Sequence, residues 1–135
     1  NNGNTPGKGN SVLYPARFDS VIAVGATDPA DSRPRFSSTG PAVELAAPGV
    51  NVLSTFLGGA YVPMSGTSMA SPHVVGTAAL IIASLTVTDT DDENGIANEV
   101  RDRLNTTADD LGTPGRDVQY GFGLVDADEA AAPVE

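Results

Sequence analysis

A long uncharged segment constrains this fold most, because no Asp, Glu, Lys or Arg occurs from Leu45 through Thr88. In a chain of which 18% is charged, such a gap indicates a segment that is buried on most sides. Within it, Met69 to Leu85 is apolar all round rather than along one stripe, which predicts a buried helix. A membrane span is the alternative, but the interrupted run falls short of the roughly 20 apolar residues that a bilayer requires.

Short β-branched runs and turn signals surround this helix and predict the other elements. Strands are expected at Ser20 to Ala26, Val43 to Ala46 and Asn51 to Thr55, with Gly58-Gly59 turning the last of these into a hairpin with Ala60 to Val62. A surface helix through Val100 and Leu104 carries on its outward face Glu99, Arg101, Asp102 and Arg103, and a short helix runs from Asp126 to Ala132. The pattern predicts an α/β fold, part of a doubly wound, mainly parallel sheet with helices on both faces.

The charge balance limits the partners of the chain. Seventeen acidic residues face seven basic ones, for a net charge of −10 and a pI near 4.2. Such a surface repels nucleic-acid phosphates and anionic membranes, so we expect neither as a partner. Few lysines and many aspartates indicate adaptation to high salt, and a merely acidic surface is the alternative. The chain has no cysteine, so neither a disulfide nor a Cys-ligated metal supports the fold.

One string of residues points to chemistry: Ser65-Gly66-Thr67-Ser68-Met69-Ala70-Ser71-Pro72-His73. Ser68 follows a glycine-containing turn and stands at the N-terminus of the predicted helix. There its hydroxyl lies at the edge of a rigid element, and the helix end and the Ser68 N–H face any oxyanion that forms beside it. A serine that only caps the helix is the alternative.

The string Gly-Thr-Ser-Met-Ala-Ser-Pro-His resembles the nucleophile motif of the subtilisin-like serine proteases, and the resemblance covers nearly the whole chain. Further matches follow in the order that the family shows: Tyr14-Pro15, Ser20 to Gly25, Phe36-Ser37-Ser38, Ala47-Pro48-Gly49-Val50 and Tyr120 to Leu124. The resemblance implies that residues 1–135 are the C-terminal portion of a single peptidase domain, with the N-terminal portion upstream. It also implies a secreted enzyme, and the acidic composition points to its halophilic members.

The same resemblance implies roles for single residues. Ser68 matches the nucleophile that forms the acyl-enzyme with a polypeptide substrate, and Asn1 matches the asparagine that completes the oxyanion hole. Leu13 matches the floor of the primary specificity pocket, where a leucine shortens the pocket and favours medium apolar or small side chains. The carbonyls of Ala16, Phe18 and Val21 match a loop that can hold a weakly bound Ca²⁺ or Na⁺. No cofactor is required, and the metal content stays unknown.

The general base is the component that this chain does not supply. His73 is the only histidine, but five residues turn a helix by about 500° and rise about 7.5 Å, which separates it from Ser68. We expect His73 to make a structural hydrogen bond, and the family places its catalytic Asp and His upstream. Residues 1–135 alone are therefore predicted to be inactive. A non-catalytic binding domain that kept the fold and a structural extracellular module are the alternatives.

Overall fold

A computed structural model describes residues 10–89 and 95–133. The elements in chain order are four strands and three helices: β1 (Ala23–Thr27), β2 (Val43–Pro48), β3 (Val52–Phe56), β4 (Ala60–Met64), α1 (Thr67–Ser84), α2 (Ala97–Thr106) and α3 (Ala127–Ala131). Leu57–Gly59 forms a single 3₁₀ turn between β3 and β4. Every strand and helix expected from the sequence is present, with ends that differ by a few residues.

The centre of the fold is the parallel pair β1 and β2. Val24 lies beside Leu45 and Ala26 beside Ala47, and the β2 core residues are fully buried. A third segment extends this sheet at Leu124, because the amide of Ala46 donates to the Gly123 carbonyl at 2.8 Å and the Val125 amide donates to Ala46 at 2.9 Å. The parallel strands and their helices confirm the α/β fold class.

The predicted hairpin is also confirmed. β3 and β4 pair in antiparallel register, from Val52 beside Met64 to Phe56 beside Ala60. The hairpin leads directly into the Ser65–His73 string, since β4 ends at Met64 and α1 begins at Thr67.

Helix α1 differs from the expected helix in one respect. Its buried residues are Ala70, Val74, Thr77 and Ile81, which form one stripe packed on β1, β2, α2 and α3. The sides of the helix away from this stripe are exposed, with 66% exposure at Val75, 50% at Leu80 and 47% at Ile82. The described strands and helices thus cover only one face of an apolar helix. Burial on most sides, which we expect within a domain larger than this chain, stays a prediction.

Helix α2 corrects one expectation. Val100 and Leu104 face the core as predicted, but Arg101 and Arg103 do not point outward. Arg101 turns back to Glu44 on β2, and Arg103 donates to backbone carbonyls of α3 and its end. Among the described residues, no helix has both the length and the apolar character needed to cross a membrane.

Candidate active site

Ser68 is held by the ends of both parallel strands. The amide of Gly49, just after β2, donates to the Thr27 carbonyl at the end of β1, at 2.9 Å. The Gly49 carbonyl in turn accepts from the amide of Gly66 at 2.8 Å. These two bonds fix the turn before α1 at the carboxyl ends of the strands, the edge where open α/β sheets bind ligands. The side chain of Ser68, the second residue of α1, is exposed there.

The start of α1 offers amide groups to a negative charge. The Gly66 carbonyl accepts from the amides of Met69 and Ala70 at 3.0 and 3.3 Å. The amide of Ser68 belongs to the first turn, where an α-helix provides no intrahelical acceptor. Together with the partial positive charge of the helix end, it can stabilise an oxyanion beside Oγ.

Two hollows adjoin the nucleophile turn. One, of about 150 Å³, is lined by residues 12–16 together with Ala23, Val24, Ser38, Val43 and Thr67. Leu13 belongs to this lining, and its side chain is 53% exposed. The other hollow, of about 390 Å³, is lined by Val52, Leu53, Ser54, Ser68, Met69, Pro72 and His73. Most of the residues that line each hollow are apolar.

His73 forms the hydrogen bond predicted for it. Its Nδ1 lies 2.9 Å from the carbonyl oxygen of Met69, one helical turn earlier. Because a carbonyl can only accept, Nδ1 carries the proton of this bond. The half-buried ring lines the same hollow as Ser68, yet its position five residues along the intact helix keeps it from replacing a base. The described part of the chain places no imidazole or carboxylate in hydrogen-bond contact with Ser68.

Two predicted sites remain predictions. Asn1 lies outside the described residues. In the loop with the candidate cation ligands, the Phe18 carbonyl accepts from the Val21 amide at 2.9 Å. Among the described residues no three His, Cys, Asp or Glu side chains form a metal-binding group, and backbone carbonyls alone select for no particular cation.

Comparisons with known proteins identify the family of the chain. A model of the subtilase family matches residues 1–123. Subtilisin DY of Bacillus licheniformis is 45% identical over 130 residues, which cover 96% of this chain and 44% of that protein. The chain belongs to the subtilase family.

Two further relatives also match most of this subtilase over a part of their own length. The thermostable alkaline protease of Halalkalibacterium halodurans is 48% identical over 128 residues, 95% of this chain and 32% of that protein. Subtilisin E of Bacillus subtilis is 43% identical over 130 residues, 96% of this chain and 32% of that protein. The subtilase chain thus spans between about a third and just under half the length of these relatives.

The subtilase also contains a partly buried ion pair that sequence reasoning missed. Nε and Nη2 of Arg101 donate to the two carboxylate oxygens of Glu44 at 2.6 and 2.5 Å, and Asn105 Nδ2 adds a third bond at 3.0 Å. Burial would raise the pKa of Glu44, but the bonds from Arg101 and Asn105 outweigh it and hold that pKa below its usual range. The available signal was an acidic residue inside an otherwise apolar strand, which requires a partner when buried.

Proposed function

We propose that this chain is the nucleophile-bearing part of a secreted serine endopeptidase, which cleaves polypeptides through an acyl-enzyme on Ser68. The observation that supports it most is the placement of Ser68: exposed, in the first turn of α1, fixed by Gly49 and Gly66 at the carboxyl ends of β1 and β2. A capping serine needs none of these long-range contacts. Membership of the subtilase family supports the same reaction.

In the proposed reaction Ser68 Oγ forms a bond to the carbonyl carbon of the substrate while a base accepts its proton. The oxyanion then meets the Ser68 amide and the side chain of Asn1. The carbon–nitrogen bond breaks, and the base returns its proton to the leaving amine. Water next attacks the ester, the base again accepting a proton, and releases the acid and free Ser68.

The base and its orienting carboxylate belong to the upstream part of the same domain in this proposal. Two surfaces are suited to that part. The first is the exposed face of α1 that carries Val75 and Ile82. The second is an open groove of about 730 Å³ that includes Ser68 and is bordered by the start of β1 and by α1. Covering both would remove apolar surface from water and would bring upstream residues to Ser68.

The remaining partners follow from charge and from the site. The substrate is a polypeptide, and the first hollow, narrowed by Leu13, would take medium apolar or small side chains on the acyl side. Nucleic acids and anionic membranes are not partners of a chain with a net charge of −10. No cofactor takes part in the reaction, and the carbonyls of Ala16, Phe18 and Val21 could hold only a structural cation.

A serine-directed organophosphate tests the proposal. The full-length protein should react stoichiometrically at Ser68 and cleave a peptide substrate, and Ser68→Ala should abolish both. Residues 1–135 alone should show neither, until the upstream segment is added as a fusion or as a complementing fragment. A full-length, folded protein that is not labelled would favour a non-catalytic binding or structural module instead. Rapid labelling of the isolated chain would contradict the assignment of the base to the upstream part.

A further inference from the structure

We propose that Arg101 is a positioning residue that holds the wall of the substrate pocket, so that it helps to set which side chain the enzyme accepts on the acyl side. The inference rests on the proposed endopeptidase function. The wall is the pocket loop, residues 13–21, whose first part lines the 150 Å³ hollow beside Thr67. Arg101 lies on α2 and does not line that hollow.

The guanidinium of Arg101 joins three parts of the fold. Two of its nitrogens bind both oxygens of Glu44 on β2, and Nη1 donates to the carbonyl oxygen of Asp19 in the pocket loop at 2.6 Å. The Glu44 carboxylate is 6% exposed and the Arg101 side chain 31%. Because the buried carboxylate binds the guanidinium at two nitrogens, the guanidinium can hardly rotate. Its third donor therefore fixes the position of the Asp19 carbonyl.

Hydrogen bonds inside the pocket loop connect the turn that contains Asp19 to the residues that line the hollow. The Val21 amide donates to Phe18 at 2.9 Å, the Phe18 amide donates to Pro15 at 3.0 Å, and the Arg17 amide donates to Leu13 at 3.1 Å. The rings of Tyr14 and Phe18 also pack, with centroids 4.7 Å apart. A shift at Asp19 would therefore be passed through successive turns to the residues that line the hollow.

The two ends of the loop are held by different means. Before the loop, Val12 is buried in a small cluster with Ala23 and Val43. Towards the other end, the Asp19 carbonyl is held by α2 through Arg101. Loss of that bond would leave the first anchor in place and let the wall between the anchors move, which would change the shape of the hollow without displacing Ser68.

Arg103 provides a matched control on the same helix. Its Nε donates to the Ala130 carbonyl at 3.0 Å, and its Nη2 donates to those of Glu129 and Ala132 at 2.7 and 3.1 Å. It thus makes as many hydrogen bonds as Arg101, but it joins α2 to α3 and not to the pocket loop. Substituting it should lower stability without altering the hollow.

The experiment uses the full-length protease and two peptide substrates that differ only in having Leu or Phe on the acyl side. Arg101→Lys keeps a charge beside Glu44 but cannot donate to both carboxylate oxygens and to Asp19. Because an unpaired buried carboxylate can prevent folding, a second variant, Arg101→Met with Glu44→Gln, removes both charges. We expect the ratio of kcat/KM for the Leu peptide to that for the Phe peptide to fall about 10-fold in both variants. Most of this change should come from the KM values. Labelling of Ser68 by a small organophosphate should be unchanged.

Arg103→Lys and Arg103→Met should leave the ratio as it is in the unsubstituted enzyme, even where they lower the melting temperature. An unchanged ratio in both folded Arg101 variants would overturn the inference. So would an equal change in the Arg103 variants, since Arg101 would then act through general stability alone. An unsubstituted enzyme that cleaves neither peptide and is not labelled would contradict the proposed function itself.

Discussion

The carbonyl oxygen of Gly49 accepts a 2.8 Å hydrogen bond from the amide of Gly66. This bond joins the end of β2 to the turn that precedes Ser68. A Cβ atom on Gly49 would lie 2.6 Å from Cβ of Ala26 and 2.9 Å from the Gly66 carbonyl oxygen. Neither neighbour is the end of a flexible side chain, so any side chain at this position must move the strand or the turn.

Gly49→Ala in the full-length protease should therefore displace the nucleophile. We expect turnover to fall about 10²-fold, as for a misplacement of about 1 Å at a reacting group. Overpacking should also lower the free energy of unfolding by about 1–3 kcal/mol. Steady-state kinetics and urea denaturation measure the two effects. Val50→Ala is the control, because it trims a half-buried neighbour without pressing on Gly66, and it should keep its turnover. Full turnover in folded Gly49→Ala would contradict this account of how Ser68 is placed.

Asn1→Ala tests the predicted oxyanion hole. We expect a loss of about 10²–10³-fold in turnover with little change in KM, which is the size known for the corresponding asparagine of subtilisin. The reason is that the amide would bind charge that develops only in the transition state. Asn2→Ala, one residue along, should have little effect. A loss of less than tenfold in Asn1→Ala would remove this residue from the site.

Mild peroxide should lower turnover through Met69. Met69 follows Ser68 directly and lines the same 390 Å³ hollow, so a sulfoxide would place a polar oxygen near Ser68. Met69→Ala should resist peroxide. The only other methionine, Met64, is 43% exposed, and Met64→Ala should stay sensitive. The measurement is the activity that remains after timed exposure to peroxide. An equal decline in the unsubstituted enzyme, Met69→Ala and Met64→Ala would show that Met69 is not the target.

Salt should stabilise the full-length protease. With a net charge of −10 over residues 1–135, self-repulsion should destabilise the fold in dilute buffer, and molar salt reduces the Debye length to about 3 Å. We expect both melting temperature and activity to rise between 10 mM and 2 M NaCl, both chosen as roughly the limits of strong and weak screening. Sucrose at matched osmolality separates screening from exclusion effects. Equal melting temperatures at the two salt concentrations would contradict adaptation to high salt.

Acid should weaken the fold through Glu44. Its pKa is lowered in the folded state, so the unfolded chain binds more protons in the acid range. The contribution to stability is therefore complete above the ordinary pKa of a glutamate and is lost as the pH falls through the lowered value. Glu44→Gln should reduce this loss of stability at acid pH. At pH 7 the same substitution should lower the free energy of unfolding by about 1–3 kcal/mol. Asn105→Ala removes one donor to the Glu44 carboxylate, so the loss of stability should begin at a higher pH.

Urea denaturation at pH values from 7 down to 3, a window of roughly four units spanning the usual glutamate pKa, measures these curves. Parallel curves for the unsubstituted protein and Glu44→Gln would show that another group controls the acid transition. The bonds from Arg101 and Asn105 to Glu44 would then be structural contacts without a role in the response to pH.

Local patterns predicted the elements and the place of Ser68 at the start of a helix. The β-branched runs, the Gly58-Gly59 turn and the apolar stretch that begins at Met69 each indicate structure within a few neighbouring residues, and β1 to β4 and α1 follow them. The position of Ser68 at a helix start is equally local. The hydrogen bond of His73 could also be predicted, because a residue one turn earlier on the same helix supplies its acceptor.

Contacts between distant residues could not be predicted in this way. Arg101 stands in a charged run with Asp102 and Arg103, as a solvent-facing residue of α2 would. Only the packing of α2 on the sheet shows that it meets Glu44 and Asp19. The uncharged segment predicted how apolar α1 is but not which faces its neighbours in this chain cover. For the same reason, the link from Thr27 through Gly49 to Gly66 has no sequence pattern of its own.

In the proposed protease, that link also determines when the enzyme can digest itself. Ser68 is placed by residues far apart in the sequence, so a molecule that unfolds loses its cutting ability in the same step in which it becomes a cleavable chain. Self-digestion then requires one molecule of each kind, and its rate follows the product of the folded and unfolded fractions. The product is greatest where the two fractions are equal. A solution of the enzyme should therefore be shortest-lived at the midpoint of unfolding, and chains that are all unfolded should persist longer than a half-unfolded mixture.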